Sequence, residues 1–154
     1  MAIDAVRTYL KQWNRDQDIL EFDQSSATVA LAAEALGIEP GRIAKTLAFR
    51  SEDGAVIVVA AGDAKIDNSK FKSTFGFKAR MLSAEDTLEQ TGHAVGGVCP
   101  FALVESVPVY LDDSLKRFET VYPACGSSNS AIELNCEELH MMSAAKGWVD
   151  VCKL

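Results

Sequence analysis

Lys45 heads an alternating apolar segment, Thr46-Leu47-Ala48-Phe49, and about fifty residues later the chain carries Gly96-Gly97-Val98-Cys99-Pro100-Phe101. A strand over the first segment would fix the lysine ammonium in space, as a point charge for a phosphate or for negative charge developing on a carbonyl oxygen. In the second segment the glycines allow close backbone approach to a ligand, and the proline limits how far the loop relaxes. Amides held in such a loop suit an oxyanion-type cradle. Both features also have ordinary structural readings. A strand-edge lysine commonly lays its stem on apolar surface and keeps its head in water, and a Gly-Gly pair closes many tight turns.

Cys99 is a candidate nucleophile, with His93 or His140 as its base. Such a pair needs hydrogen-bond contact, and neither histidine sits in a recognisable catalytic signature. A pocket-lining role is the other reading. The four cysteines, Cys99, Cys125, Cys136 and Cys152, show no Cys-x-x-Cys spacing. With only two histidines, a closed zinc site would need scattered ligands, so reduced and mostly buried thiols are expected, with no metal and no cofactor.

Those residues need a scaffold. The chain has 154 residues, 48% of them hydrophobic, which is enough for one core and predicts one domain over 1–154. No apolar run approaches the length of a membrane span, and the first residues lack a secretory layout, so a cytoplasmic protein is expected. The net charge of −7 excludes broad, non-specific binding to nucleic acid, and DNA is not an expected partner. The segment from Asp63 to Arg80 departs from that balance, setting Lys65, Lys70, Lys72, Lys78 and Arg80 against Asp63 and Asp67. It reads either as a docking patch for a phosphate backbone or as a solvated helix face.

Periodicity outlines the elements. Ile3, Val6, Leu10 and Trp13 predict an amphipathic helix, and residues 18–22 a strand. A helix over 28–36 follows, capped by Ser25 or Ser26 and stopped by Gly37. Asp53-Gly54 predicts a hairpin joining the Lys45 strand to Ala55–Ala61, which is apolar on both faces and therefore central. Helices are expected from Asn68 to Phe75 before Gly76, from Ser83 to Gly92, and after Asn135, where Glu138 completes a capping box. Residues 107–111, 120–122, 131–134 and 148–151 read as strands. Without regular strand–helix alternation, the fold class is α+β.

Taken together, Lys45-Thr46-Leu47 and Gly96–Pro100 resemble the YbaK-like family, free-standing relatives of the editing domain inserted in bacterial prolyl-tRNA synthetases. Gly96 to Pro100 fits the Gly-x-x-x-Pro loop of that family, and Ala124 to Leu134 is similar to the glycine turn and Ile-Glu-Leu strand that close its pocket. The resemblance runs nearly the full chain in motif order. It implies a mixed, largely antiparallel, curved and barrel-like sheet surrounded by helices. The implied activity is hydrolysis, in trans, of the ester of a mischarged tRNA such as tRNA-Pro carrying Ala, Cys or a similar small residue. Aminoacyl-tRNA, bound at its acceptor end, and prolyl-tRNA synthetase are the implied partners.

The resemblance assigns catalysis to Lys45, Gly96 and Gly97, and substrate binding to Thr46, Val98, Cys99, Pro100, Phe101, Gly126 and Ser127. Two positions depart from the pattern. Ala124 stands where relatives often have serine, and Ala131 where an acidic residue is common. The general pocket carries over; the substrate preference does not. Two rivals remain, a non-catalytic module that binds aminoacyl or nucleotide groups and a Cys–His hydrolase of small esters.

Overall fold

The computed structural model of the protein describes residues 2–104 and 107–154. In chain order these form α1 (Ala2–Leu10), β1 (Leu20–Glu21), α2 (Val29–Leu36), β2 (Ile43–Ser51), β3 (Gly54–Ala61), β4 (Lys65–Ile66) and α3 (Asn68–Phe75). They continue as α4 (Ala84–Thr91), β5 (Val109–Asp112), β6 (Tyr122–Pro123), β7 (Ser130–Ala131), α5 (Cys136–Met142), β8 (Gly147–Val149) and β9 (Cys152–Lys153). Single 3-10 turns occupy Pro40–Arg42 and Asp113–Arg117, among others.

The hairpin of β2 and β3 is the centre of the molecule. Its antiparallel register pairs Ser51 with Gly54 and Lys45 with Ala60, leaving Glu52 and Asp53 as the loop. Ala55 to Ala61 are all buried, as expected of a strand covered on both faces. Each large aliphatic side chain so buried is worth roughly 1.5–3 kcal/mol against exposure. Around the hairpin a curled half-barrel sheet runs in the order β6-β2-β3-β5-β8. The sheet is mixed. Its longest pairing, β2 with β3, is antiparallel, and so are the short ribbons β1–β7 and β4–β9, whereas β6, β5 and β8 join in parallel.

Helix ends follow local chemistry closely. Gly37, Gly76 and Gly92 each adopt the left-handed conformation that stops a helix. Asn135 and Glu138 form the reciprocal capping box. The cap of α2 differs from expectation. Thr28, directly before the first helical residue, accepts the amide of Leu31 at 3.2 Å. Ser25 lies too early to reach the helix and takes the Ala27 amide instead, while Ser26 is held by the carbonyl of Ser128, 2.6 Å from its amide.

Other expected strands are shorter or divided. Only Leu20–Glu21 of the 18–22 segment pairs, because Asp16–Asp18 is a 3-10 turn. The 148–151 strand splits into β8 and β9, since the Val151 amide turns inward to the buried carboxylate of Asp112 at 2.9 Å. No helix among the described residues is long and apolar enough to cross a membrane.

Candidate active site

A cavity of about 530 Å³ opens beside β2, with Ile43 to Ala48 as one wall. Met81 and Leu82 extend that wall: Leu82 donates its amide to Ala48 at 3.0 Å, and Met81 bridges to Phe49. Opposite stand Val95, Gly96 and Val98, together with Ser26 to Val29 at the start of α2. Tyr122, Ala124, Ser130 and Ala131 close the remaining side. The surface is mostly aliphatic, and among the described residues that line it none carries a carboxylate or an imidazole.

Lys45 is half-buried at the cavity's edge. Its Nζ donates to the carbonyl of Gly62 at 3.4 Å and, more closely, to that of Ala64. An ammonium has three donors, so one hydrogen remains for a ligand. Partial burial holds the Lys45 pKa below the ordinary lysine value, opposed by the nearby negative charge of Asp63. The next residue, Thr46, has a buried hydroxyl with no hydrogen-bond partner among the described residues. Leaving such a group unpaired costs about 1–3 kcal/mol.

The glycine loop divides its labour. Gly96 lines the cavity with a left-handed φ of 95°, and an added Cβ would come within 3.3 Å of the Ala27 methyl. The amides of Gly96 and Val98 have no protein partner among the described residues. Gly97 sits behind the wall instead. Its amide already donates to Ala94 at 3.0 Å, and a Cβ there would press on the Ser127 backbone at 3.0 Å. Its lack of a side chain permits loop-on-loop packing, and Gly97 does not line the cavity.

Cys99, Pro100 and Phe101 also lie behind the wall. All three are buried and none lines the cavity. The thiol of Cys99 does contact His93 Nε2, at 3.5 Å. That nitrogen, however, donates to the Phe101 carbonyl at 2.7 Å, and a nitrogen carrying its proton is no base. Burial pushes the Cys99 thiol up to about 12 and holds His93 below its usual value. The structure therefore contradicts a nucleophilic Cys99: the thiolate is suppressed and shut away from the cavity. His140, on α5, stacks on Trp148 of β8 and does not line the cavity either.

Gly126 and Ser127 do not line the cavity either. Gly126, at φ 93°, lets the backbone pass under α1, where a Cβ would meet Ala2 and Val6 at 3.0 Å. The Ser127 hydroxyl is hydrogen-bonded to Asn129 Oδ1 at 3.0 Å and Ser130 Oγ at 2.7 Å. This turn shapes the cavity through Ala124, Ser130 and Ala131. Reasoning from the chain alone missed Ser26–Val29, Met81, Thr87, Val95 and Tyr122 as lining residues. Nothing in their local pattern marks them, because tertiary packing alone brings them to one space. No group of three His, Cys, Asp or Glu placed to hold a metal occurs among the described residues.

A separate concavity, about 410 Å³, is lined by Asn68, Ser69, Lys72, Lys78, Ala79 and Arg80. Its three cations form no ion pair among the described residues, in contrast to Arg7, Arg15, Arg42, Arg50, Lys70, Lys116 and Arg117.

Comparison with known proteins places this geometry in context. A family model described as "Aminoacyl-tRNA editing domain" matches residues 23–141. The chain is 61% identical over 154 residues to "Uncharacterized protein YwhH" of Bacillus subtilis, covering 99% of this chain and 98% of that protein. It is 33% identical over 109 residues to "Putative Cys-tRNA(Pro)/Cys-tRNA(Cys) deacylase EbsC" of Enterococcus faecalis, covering 70% of this chain and 66% of the relative. A crystal structure described as "a putative trans-editing enzyme for prolyl tRNA synthetase" superposes with a TM-score of 0.89 at 28% identity, over 99% of this chain and 98% of that one.

Proposed function

This chain belongs to the aminoacyl-tRNA editing domain family, and we propose that it acts in trans to hydrolyse the ester between a wrong amino acid and the terminal adenosine of a tRNA. The observation that carries this reading is that Lys45, with its half-buried ammonium, and Gly96 and Val98, with their unpartnered amides, line one aliphatic cavity.

The chemistry asks little of the protein. Water attacks the ester carbonyl, a tetrahedral oxyanion forms, and the ribose oxygen leaves. The amides of Gly96 and Val98 donate to the oxyanion, and the spare hydrogen of Lys45 adds charge there or holds the terminal phosphate. With no carboxylate or imidazole in the wall, the proton lost by water passes, relayed by the neighbouring ribose hydroxyl or by solvent, to the ribose oxygen that leaves. Positioning and preorganised dipoles are sufficient for an ester already prone to hydrolysis.

The proposed substrate carries a small amino acid such as Ala or Cys, to which the aliphatic wall, with methyls at Ala44, Ala48, Ala124 and Ala131, offers apolar contact. One methylene in such a wall discriminates only about 10–200-fold, so tRNA identity must come from elsewhere. The cleft of Lys72, Lys78 and Arg80 supplies unpaired cations for acceptor-end phosphates. Prolyl-tRNA synthetase is the proposed partner, and the cytoplasm the proposed compartment.

Deacylation of tRNA-Pro charged with alanine, cysteine, serine and proline tests the reading, with and without the synthetase. Hydrolysis of at least one small mischarged substrate, and sparing of prolyl-tRNA, is expected. Stable complexes with no hydrolysis above buffer would replace it with the binding-module alternative.

A further inference from the structure

The two carbonyls that hold the Lys45 ammonium belong to one tight corner, Gly62-Asp63-Ala64, between β3 and β4. Every side of that corner is braced. The Gly62 amide donates to Ile43 at 2.7 Å and the Ala64 amide to Ala61 at 3.0 Å. Gly62 lies so close under Pro40 that a Cβ would sit 2.1 Å from its carbonyl oxygen. From the other side, the 3-10 turn Asp113–Arg117 presses in. Ser114 Oγ accepts the Ala61 amide at 3.1 Å, and the Ser114 amide is fixed on Asp112 at 2.9 Å.

The outermost brace is an ion pair. Arg117 grips the carboxylate of Asp63 with both terminal nitrogens, at 2.6 and 3.1 Å, while its Nε donates to the Ser114 carbonyl at 2.9 Å. Such a two-pronged pair fixes orientation as well as distance. Both side chains are substantially exposed, and exposed pairs contribute little to global stability. Neither residue lines the main cavity. A strong geometric commitment with little stabilising return, one residue from each lysine-holding carbonyl, calls for another role.

We propose that Asp63 and Arg117 are positioning residues for Lys45, their ion pair locking the Gly62–Ala64 corner so that its carbonyls hold the ammonium at the cavity edge. This rests on the reading of Lys45 as the electrostatic anchor of deacylation. The charges also communicate. Asp63 raises the pKa of Lys45 against its desolvation, and Arg117 in turn offsets Asp63. The other titratable neighbours of Lys45 are Lys65, which opposes its protonation, and the Cys152 thiol, pushed up to about 12 and therefore neutral.

The test follows the lysine itself. The pKa of Lys45 is read from the pH dependence of its acetylation by a pulse of acetic anhydride, quantified by mass spectrometry with Lys11 as internal reference. Each single variant breaks the lock and is expected to lose about ten- to a hundredfold in turnover, as a displaced catalytic group does. An ammonium released from its carbonyls moves up toward the ordinary lysine value in both Asp63→Asn and Arg117→Ala, whereas removal of charge alone would lower the Lys45 pKa in the first and raise it in the second. A rise in both variants is the expected result. Unmoved titrations, or shifts of opposite sign, overturn the proposal. Should the wild-type protein show no deacylation, the enzymatic reading fails on its own while the two pKa shifts still decide whether the clamp acts on Lys45.

Discussion

Two residues separate the catalytic readings. Lys45→Ala is expected to lose about 10²–10³-fold in deacylation, the range for removing one oxyanion-stabilising donor. Its fold should survive, because the side chain contributes only two carbonyl contacts and no core packing. Cys99→Ser, in contrast, should keep its activity within a few-fold, since the thiol faces His93 and Phe101 and not the cavity. Turnover of mischarged tRNA and a melting curve check both. His93 carries a stability signature of its own. Its pKa is depressed by burial, so the folded state resists the proton that the unfolded chain accepts. Stability is therefore complete above the ordinary histidine value of 6.5 and falls as pH drops below it toward the depressed value. Denaturant titrations from pH 7.5 to 5 should show that loss in the wild type and a reduced slope in His93→Gln.

At the scale of elements, the start of α2 matters to both stability and the site. Thr28 caps the helix and also lines the cavity. Thr28→Ala should cost about 1 kcal/mol in urea unfolding, the usual value of a lost cap, and weaken substrate binding by fraying that rim. The helix ends were legible in the chain because caps are local: Gly37, Gly76, Gly92 and the Asn135–Glu138 box act within a few residues of where they stand. The short strands were less so. β6, β7, β8 and β9 hold two or three residues each, and their limits are set by partners far along the chain, such as Asp112 drawing in the Val151 amide.

For the whole molecule, the instructive feature is how an acidic chain reserves three unpaired cations in one cleft. Replacing Lys72, Lys78 and Arg80 together with alanine should weaken tRNA binding and lower the slope of log affinity against log salt by about 2–3. An unchanged slope would remove that cleft from the RNA interface. Single-turnover hydrolysis at saturating tRNA should change far less, because these side chains lie outside the main cavity.

From the chain alone came the α+β class, the central hairpin and the glycine stops and capping box of the helices. Each of these rests on periodicity, turn chemistry or a backbone preference that a few neighbouring residues express. Only the folded structure decided which glycine faces the cavity, why Gly97, Cys99 and Gly126 stand behind it, and which carbonyls hold Lys45. Those outcomes depend on contacts between segments as distant as Ala2 and Gly126, or Gly97 and Ser127. Packing between remote surfaces has no local signature, so such sides and depths are written only in three dimensions.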